Sequence, residues 1–156
     1  MLTLTFKAAK KARACADRYK EFAKYKGGAR KWGIDNPFPL LEVLEHNGLD
    51  DALWALRCCE PTADRDKIAR LFACDCTERT LPIFEKKYPK DKRPRQAIEV
   101  ARKFANGEAT QKELAAAGDA AWAAAGGDAW DAARAAEREW QTQQLRELVA
   151  PLPQGQ

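Results

Sequence analysis

The stretch from Asp64 to Phe84 constrains the fold more than any other part of the chain. Read at 3.6 residues per turn, one face of this stretch carries four apolar side chains, namely Ile68, Phe72, Cys76 and Ile83. Alanine and leucine widen that face until most of the circumference is apolar. Because such a helix is normally buried among others rather than laid on a surface, we predict a buried central helix.

Charged residues interrupt the apolar face of this predicted helix. Asp75 precedes Arg79 by four positions, a spacing that lets the two side chains pair along a helix. Since buried charges are tolerated only when paired and hydrogen-bonded, we expect a structural ion network formed by Asp75, Glu78, Arg79 and Arg57. Pro82 lies inside the same pattern and lacks a backbone N–H, so we predict a kink there.

The rest of the chain is typical of helices separated by stop signals. The first helix is predicted from about Thr5 to Tyr25, followed by a loop over residues 28–36. Asn36-Pro37 has the pattern of a helix start, because a capping side chain precedes a proline. Further starts are expected at Thr62, at Pro94 and at the capping box of Thr110 and Glu113.

The helical pattern extends over nearly the whole sequence. No stretch alternates apolar and polar residues as a half-buried strand does. We therefore predict an all-α protein, a single-domain bundle of about seven helices over residues 1–150. The last residues, 151–156, follow a helix-ending proline and are expected to form a frayed tail.

Composition excludes several classes of protein. The sequence has no apolar run near the ~20 residues that a membrane span needs, and residues 1–15 lack the apolar core of a signal peptide. We therefore expect a cytoplasmic protein with no membrane partner. The five cysteines are odd in number and His46 is the only histidine, so neither a disulfide framework nor a metal site is expected.

The sequence offers little for catalysis. A single histidine limits nucleophile–base pairs, and no glycine-rich phosphate loop is present. Asp75 and Glu78 could be considered as an acid–base pair, but a structural network with Arg79 explains them better. We predict no catalytic residue, no metal ligand and no cofactor, and an enzyme remains the least favoured of three hypotheses.

The segment Lys86–Arg95 is the sharpest surface feature, with six basic residues and one acid. We call its charged and aromatic members the basic patch: Lys86, Lys87, Tyr88, Lys90, Lys92, Arg93 and Arg95. It is a candidate site for an anion or a partner, either nucleic acid or an acidic protein, with Tyr88 able to stack. The alternative interpretation is a solvated loop between helices, stiffened by prolines.

Three segments together resemble a known family. They are the N-terminal helix around Ala14-Cys15, the run GLDDALWALR at residues 48–57, and the block RLFACDC at residues 70–76 continuing through LPIFEKKYPKDKRPRQAIEVARKFANGEAT. With the closing WQTQQLREL, they resemble the small helical putative immunity protein family of bacterial polymorphic toxin systems, which also occurs in phages and prophages.

The resemblance implies an all-helical, non-enzymatic protein that binds and neutralises a cognate toxin. In a phage, the same chain could instead be a counter-defence inhibitor of a host nuclease or signalling complex. A third hypothesis is a nucleic-acid-binding regulator that uses the basic patch. The alanine-rich helices with Trp122, Trp130 and Trp140 could also build a homodimer.

Overall fold

The computed structural model describes residues 1–122 and 134–151. Within these ranges the fold is helical, with nine α-helices, one short 3₁₀ helix and two strands of two residues each. The elements are β1 Thr3–Leu4, α1 Phe6–Lys11, α2 Ala16–Tyr25, α3 Ala29–Trp32, β2 Phe38–Pro39, α4 Leu40–Asn47, α5 Leu49–Ala55, the 3₁₀ helix Leu56–Cys58, α6 Ala63–Lys87, α7 Arg93–Ala105, α8 Gln111–Trp122 and α9 Arg134–Val149. The all-α prediction is confirmed.

Contacts divide the chain into two compact units. The first unit combines Met1–Arg65 with Ala135–Gln156, and the second unit is Asp66–Arg134. The single domain predicted over residues 1–150 includes parts of both units. That it is one domain stays a prediction. Apart from Pro151, the predicted frayed tail lies outside the described residues.

The expected helix start at Asn36-Pro37 is wrong. The chain there forms β2, which pairs antiparallel with β1 in the register Thr3 to Pro39 and Leu4 to Phe38. Proline disfavours the helical conformation of the residue before it, and prolines at positions 37 and 39 therefore keep two preceding residues extended. Helix α4 begins only at Leu40, after the last of these prolines.

The first predicted helix is also divided. Helix α1 ends at Lys11 and α2 begins at Ala16, with Arg13 between them at φ 61°. In one continuous helix, Phe6 and Phe22 would lie about 24 Å apart, at about 1.5 Å per residue. In the fold their ring centroids are 6.0 Å apart, and both rings pack on Phe38 at 4.9 Å. Tertiary packing therefore overrides the local helical pattern.

Helix α9 completes the first unit. Its side chains Leu145 and Val149 are almost fully buried. Two ion pairs attach its polar face within the same unit, one from Arg146 to Glu45 at 2.5 Å and one from Arg138 to Asp50 at 2.6 Å. Helix α9, near the C-terminus, thus contributes to the core of the unit that contains Met1–Arg65.

The second unit is built on α6, a helix of 25 residues with Pro82 inside it. Cys74 and Leu81 of α6 pack with Ile98 of α7, and Ala101 borders this cluster. The prediction that Ile83 belongs to a buried face is wrong, since this residue is 56% exposed. The buried residues of α6 are Phe72, which belongs to the predicted face, and Cys74 and Leu81, which lie on the other side of the helix. The kink at Pro82 stays a prediction.

Local sequence signals mark the starts of α6, α7 and α8, as predicted. Thr62 Oγ1 accepts a hydrogen bond from the Arg65 backbone N–H at 3.2 Å. In the capping box, the Thr110 N–H donates to Glu113 Oε2 at 2.7 Å, and the Glu113 N–H donates to Thr110 Oγ1 at 3.3 Å. Proline also lies in the first turn of α7, as predicted. These contacts are short-range, so the sequence alone was sufficient to predict them.

Candidate partner-binding site

A compact ion cluster joins α6 to α7 in the second unit. The Arg102 guanidinium forms ion pairs with the carboxylates of Asp75 and Glu78, each at an N–O distance of 2.5 Å. The Asp75 side chain is only 15% exposed, whereas Glu78 is about half exposed. Burial opposes the charge of Arg102, but its hydrogen bonds to Glu78 and Asp75 outweigh that effect and raise the pKa of the guanidinium. The cluster therefore ties the two helices together.

Sequence reasoning missed Arg102, the centre of this cluster. It predicted a network in which Asp75 and Glu78 lie beside Arg79 on the same helix. The signal for Arg102 was its position four residues after the buried Ile98, which places both on the same face of α7. A basic residue on that face is the natural partner for acids on the facing helix.

The predicted network also includes Arg79 and Arg57. Arg79 is exposed on α6. Arg57 belongs to the first unit, where its Nε donates to the Trp54 carbonyl at 3.1 Å and its guanidinium lies 5.3 Å from the Trp54 ring centroid. Their membership of the network stays a prediction.

The basic patch spans the end of α6, the connecting loop and the start of α7. Its two arginines are held by acids: Arg93 Nη2 lies 2.6 Å from Asp91, and Arg95 binds Glu85 through two hydrogen bonds of 2.7 Å. The bonds from Arg93 lower the pKa of Asp91 to about 2, and those from Arg95 lower the pKa of Glu85. These arginines therefore shape the loop and offer little free charge to a ligand.

The lysines of the basic patch behave differently. The four lysines are Lys86, Lys87, Lys90 and Lys92, and all of them are exposed. In the part of the chain that the structure describes, none of them forms an ion pair. Tyr88 is 42% exposed, with the Lys87 ammonium 5.4 Å from its ring centroid. The exposed Ile83 precedes Lys87 by one helical turn. Positive charge and apolar surface thus occur together here.

The five cysteines are free thiols. Burial raises the pKa of Cys58 and Cys74, and it raises the pKa of Cys59 to about 12. Within residues 1–122 and 134–151, no group of three or more metal-ligating side chains occurs.

In the same ranges, no helix combines the length and apolar character that crossing a membrane requires.

The tryptophans proposed for a homodimer are only partly described. Trp140 lies on α9 and is half-buried. Trp130 and the side chain of Trp122 lie outside the described residues. The homodimer stays a prediction.

Comparison with known proteins places the chain in a family. The sequence profile of the Imm-5 like putative immunity protein family matches residues 61–138, which is half of the 156-residue chain. The matched region includes α6, α7 and α8, and with them the Arg102 ion cluster and the basic patch. No curated protein and no solved structure matches the chain significantly. The chain therefore belongs to the Imm-5 like putative immunity protein family.

Proposed function

We propose that this protein is a non-enzymatic, cytoplasmic immunity-type protein that binds and neutralises a cognate toxin or effector protein. The family match over residues 61–138 is the observation that carries the proposal. An immunity protein acts by occupying its target, so it needs a stable surface rather than reactive groups. The basic patch lies inside the matched region and is such a surface.

The chemistry of the basic patch favours an acidic protein surface as the partner. Four exposed lysines, which form no ion pair with any residue that the structure describes, steer an acidic partner during encounter. Tyr88 and Ile83 add exposed apolar area, and aromatic residues are frequent among the side chains that dominate binding energy. Charge would thus set the rate of association, and the apolar residues would stabilise the complex.

The ion pairs of the arginines support this role by ordering the surface. Arg95 holds Glu85 across the loop, while Arg93 holds Asp91 within it. Both pairs restrict the segment that carries the lysines, so less conformational entropy is lost when a partner binds. The arginines are therefore proposed as positioning residues and the lysines as contacts.

The proposal is tested by co-expression with a toxin gene that neighbours this one in its native genome, where the neighbouring genes encode such a toxin. We expect co-expression to restore growth and the two proteins to purify as a complex of fixed stoichiometry. A counter-defence inhibitor would instead rescue phage growth against one host defence system and purify with a component of that system. Failure of rescue and of complex formation in both settings would contradict binding and neutralisation.

A charge-reversal variant tests the basic patch itself. Changing Lys86, Lys87, Lys90 and Lys92 to glutamate should weaken the complex by about tenfold or more, mainly through slower association. The matched control changes the exposed lysines Lys10, Lys11, Lys24 and Lys31 of the first unit to glutamate, and it should leave affinity unchanged. Equal losses in both variants would indicate a net-charge effect and contradict a role for the patch.

The same protein preparations test the nucleic-acid alternative. A regulator that contacts phosphates would bind DNA or RNA at low salt, and its affinity would fall steeply as salt rises. We expect no such binding, because two of the six basic side chains are already held by acids. Salt-dependent binding that the charge-reversal variant loses would favour the regulator over the immunity-type role.

A further inference from the structure

One side of α6 carries an exposed surface without charge. At 3.6 residues per turn, its four side chains fall within about 120° of the helix circumference and span about 15 Å along the axis. We call this surface the uncharged face, and its members are Ala73, Thr77, Thr80 and Ile83. The charged residues of the same stretch lie outside that arc, and they are Asp75, Glu78 and Arg79.

The two threonines of the uncharged face need no further hydrogen-bond acceptor. Thr77 Oγ1 donates to the Ala73 carbonyl at 2.8 Å, and Thr80 Oγ1 donates to the Thr77 carbonyl at 3.0 Å. A hydroxyl that is covered without an acceptor costs free energy, and these bonds remove that cost. An apolar surface can therefore cover the face, with the 56% exposed Ile83 as its main apolar contact.

The uncharged face leads directly into the basic patch. Lys87 follows Ile83 by four positions and Thr80 by seven, so it lies on the same side of α6. Tyr88 comes next and is also exposed. The surface is thus free of charge along its length and positive at the C-terminal end of α6. A partner segment that complements both parts is apolar along one side and acidic at one end.

The backbone of α6 limits the shape of that partner segment. An extended strand needs free backbone N–H and C=O groups to pair with, whereas those of α6 are used within the helix. A second helix needs only side-chain contacts, and small side chains such as Ala73 let it approach closely. Acidic residues stabilise the first turn of a helix. A helix with its acids at the lysines would therefore run antiparallel to α6.

We propose that the uncharged face and the adjoining lysines are the docking site for one amphipathic helix of the toxin or effector, with acidic residues in its first turn. The apolar side of this helix covers Thr80 and Ile83, and its acids meet Lys86 and Lys87. The inference rests on the proposed function. It adds the shape, the charge and the direction of the segment that meets the basic patch.

The experiment is a titration of the full-length protein with synthetic peptides at low salt, followed by two-dimensional amide NMR. The probe is an amphipathic helical peptide with glutamates in its first turn and leucines along one side. We expect saturable shifts concentrated at Thr77, Thr80, Ile83 and Lys87. A peptide with lysines in place of the glutamates should bind about tenfold more weakly, because like charges repel. A peptide with a central proline cannot form a straight helix and should not bind measurably.

Two variants localise the binding. Thr80→Arg places bulk and like charge in the middle of the uncharged face, and it should abolish the shifts. Ala116→Arg adds the same side chain at an exposed position of α8, and it should leave binding intact. The inference is overturned if the probe gives no saturable shifts, if the lysine or proline peptide binds equally well, or if the folded Thr80→Arg variant still binds. The peptide comparisons use the wild-type protein, so they hold even if Thr80→Arg does not fold.

The toxin complex separates this inference from the proposed function. If the wild type forms no complex and restores no growth, the proposed function fails, and the peptide titration still decides whether α6 receives a helix. If the wild type forms a complex and Thr80→Arg forms it equally tightly, the docking site is wrong and the immunity-type role stands.

Discussion

Arg102 of α7 holds Asp75 of α6 at 2.5 Å across the two helices. The two residues are 27 positions apart in the sequence and belong to the same compact unit. Around them, Cys74, Leu81 and Ile98 are buried. The ion pair therefore borders the apolar contact between α6 and α7 and fixes how one helix lies on the other.

A double-mutant cycle measures this relationship. Asp75→Asn and Arg102→Met should each lower the free energy of unfolding, with a coupling energy of about 1–2 kcal/mol, since Arg102 is a third exposed and water screens the pair. The measurement is urea unfolding at pH 7. Lys103→Met, an exposed neighbour on the same helix, is the control and should be nearly neutral. A coupling energy near zero would show that the pair does not hold the helices together.

The helices were predictable because their signals are local. Caps at Thr62 and Thr110 and the stop after Ala105 depend on residues within one turn of each other. The break between α1 and α2 was not predictable in this way. It exists because Phe6 and Phe22 both pack on Phe38, a contact between segments far apart in sequence.

Gly48 joins α4 to α5 in a conformation that other residues avoid. Its φ is 87° and its ψ is −177°, a region occupied almost only by glycine. A Cβ there would meet no atom within 4 Å, so the cost of Gly48→Ala is backbone strain, about 1–3 kcal/mol of destabilisation. Gly118 lies inside α8, and Gly118→Ala should raise the free energy of unfolding by about 0.5–1 kcal/mol. In thermal unfolding, Gly48→Ala should lower the melting temperature and Gly118→Ala should raise it. Shifts of the same sign would contradict this explanation.

The loop carrying the lysines should loosen in acid. The Arg93 side chain lowers the pKa of Asp91 to about 2 from an ordinary value of 3.8. Because the folded pKa is the lower one, the stabilisation is complete above pH 3.8 and is lost as the pH falls towards 2. Tyr88 fluorescence is masked by tryptophan, so the measurement is amide exchange of Tyr88 and residues 90–92. In the Asp91→Asn variant these amides should exchange faster than in the wild type already at pH 6, and the difference should shrink as the pH falls through 2.

The candidate site was predicted in part. The positive charge of Lys86–Arg95 is visible in the sequence, but the sequence does not show which of its basic residues form ion pairs with acids. Glu85 lies ten positions before Arg95, and the two meet only because the chain reverses between α6 and α7. Likewise, residues between Leu4 and Ala55 from several elements line a cavity of about 140 Å³ in the first unit, and no sequence motif marks it.

The five thiols should differ sharply in reactivity. Cys15 is exposed, whereas Cys58, Cys59 and Cys74 are buried and burial raises their pKa values. The thiolate is the reactive form, so a disulfide reagent at pH 8 should modify Cys15 fast and these three slowly. Cys76 is half-buried and should react at an intermediate rate. In denaturant all five should react fast, and the Cys15→Ser variant should lose the fast phase of the folded protein.

The attachment of α9 should depend on apolar packing more than on its ion pairs. Leu145 is fully buried, and Leu145→Ala should lower the free energy of unfolding by about 2–5 kcal/mol. Arg146→Ala, one residue further, removes the pair with Glu45, whose carboxylate is half exposed, and should cost under about 1 kcal/mol. The arginine lowers the pKa of Glu45, so its small contribution should be present above pH 4.5 and vanish in acid. Urea unfolding of both variants at pH 7 and pH 3 checks this order. If Arg146→Ala cost as much as Leu145→Ala, the ion pair rather than the core would hold α9 in place.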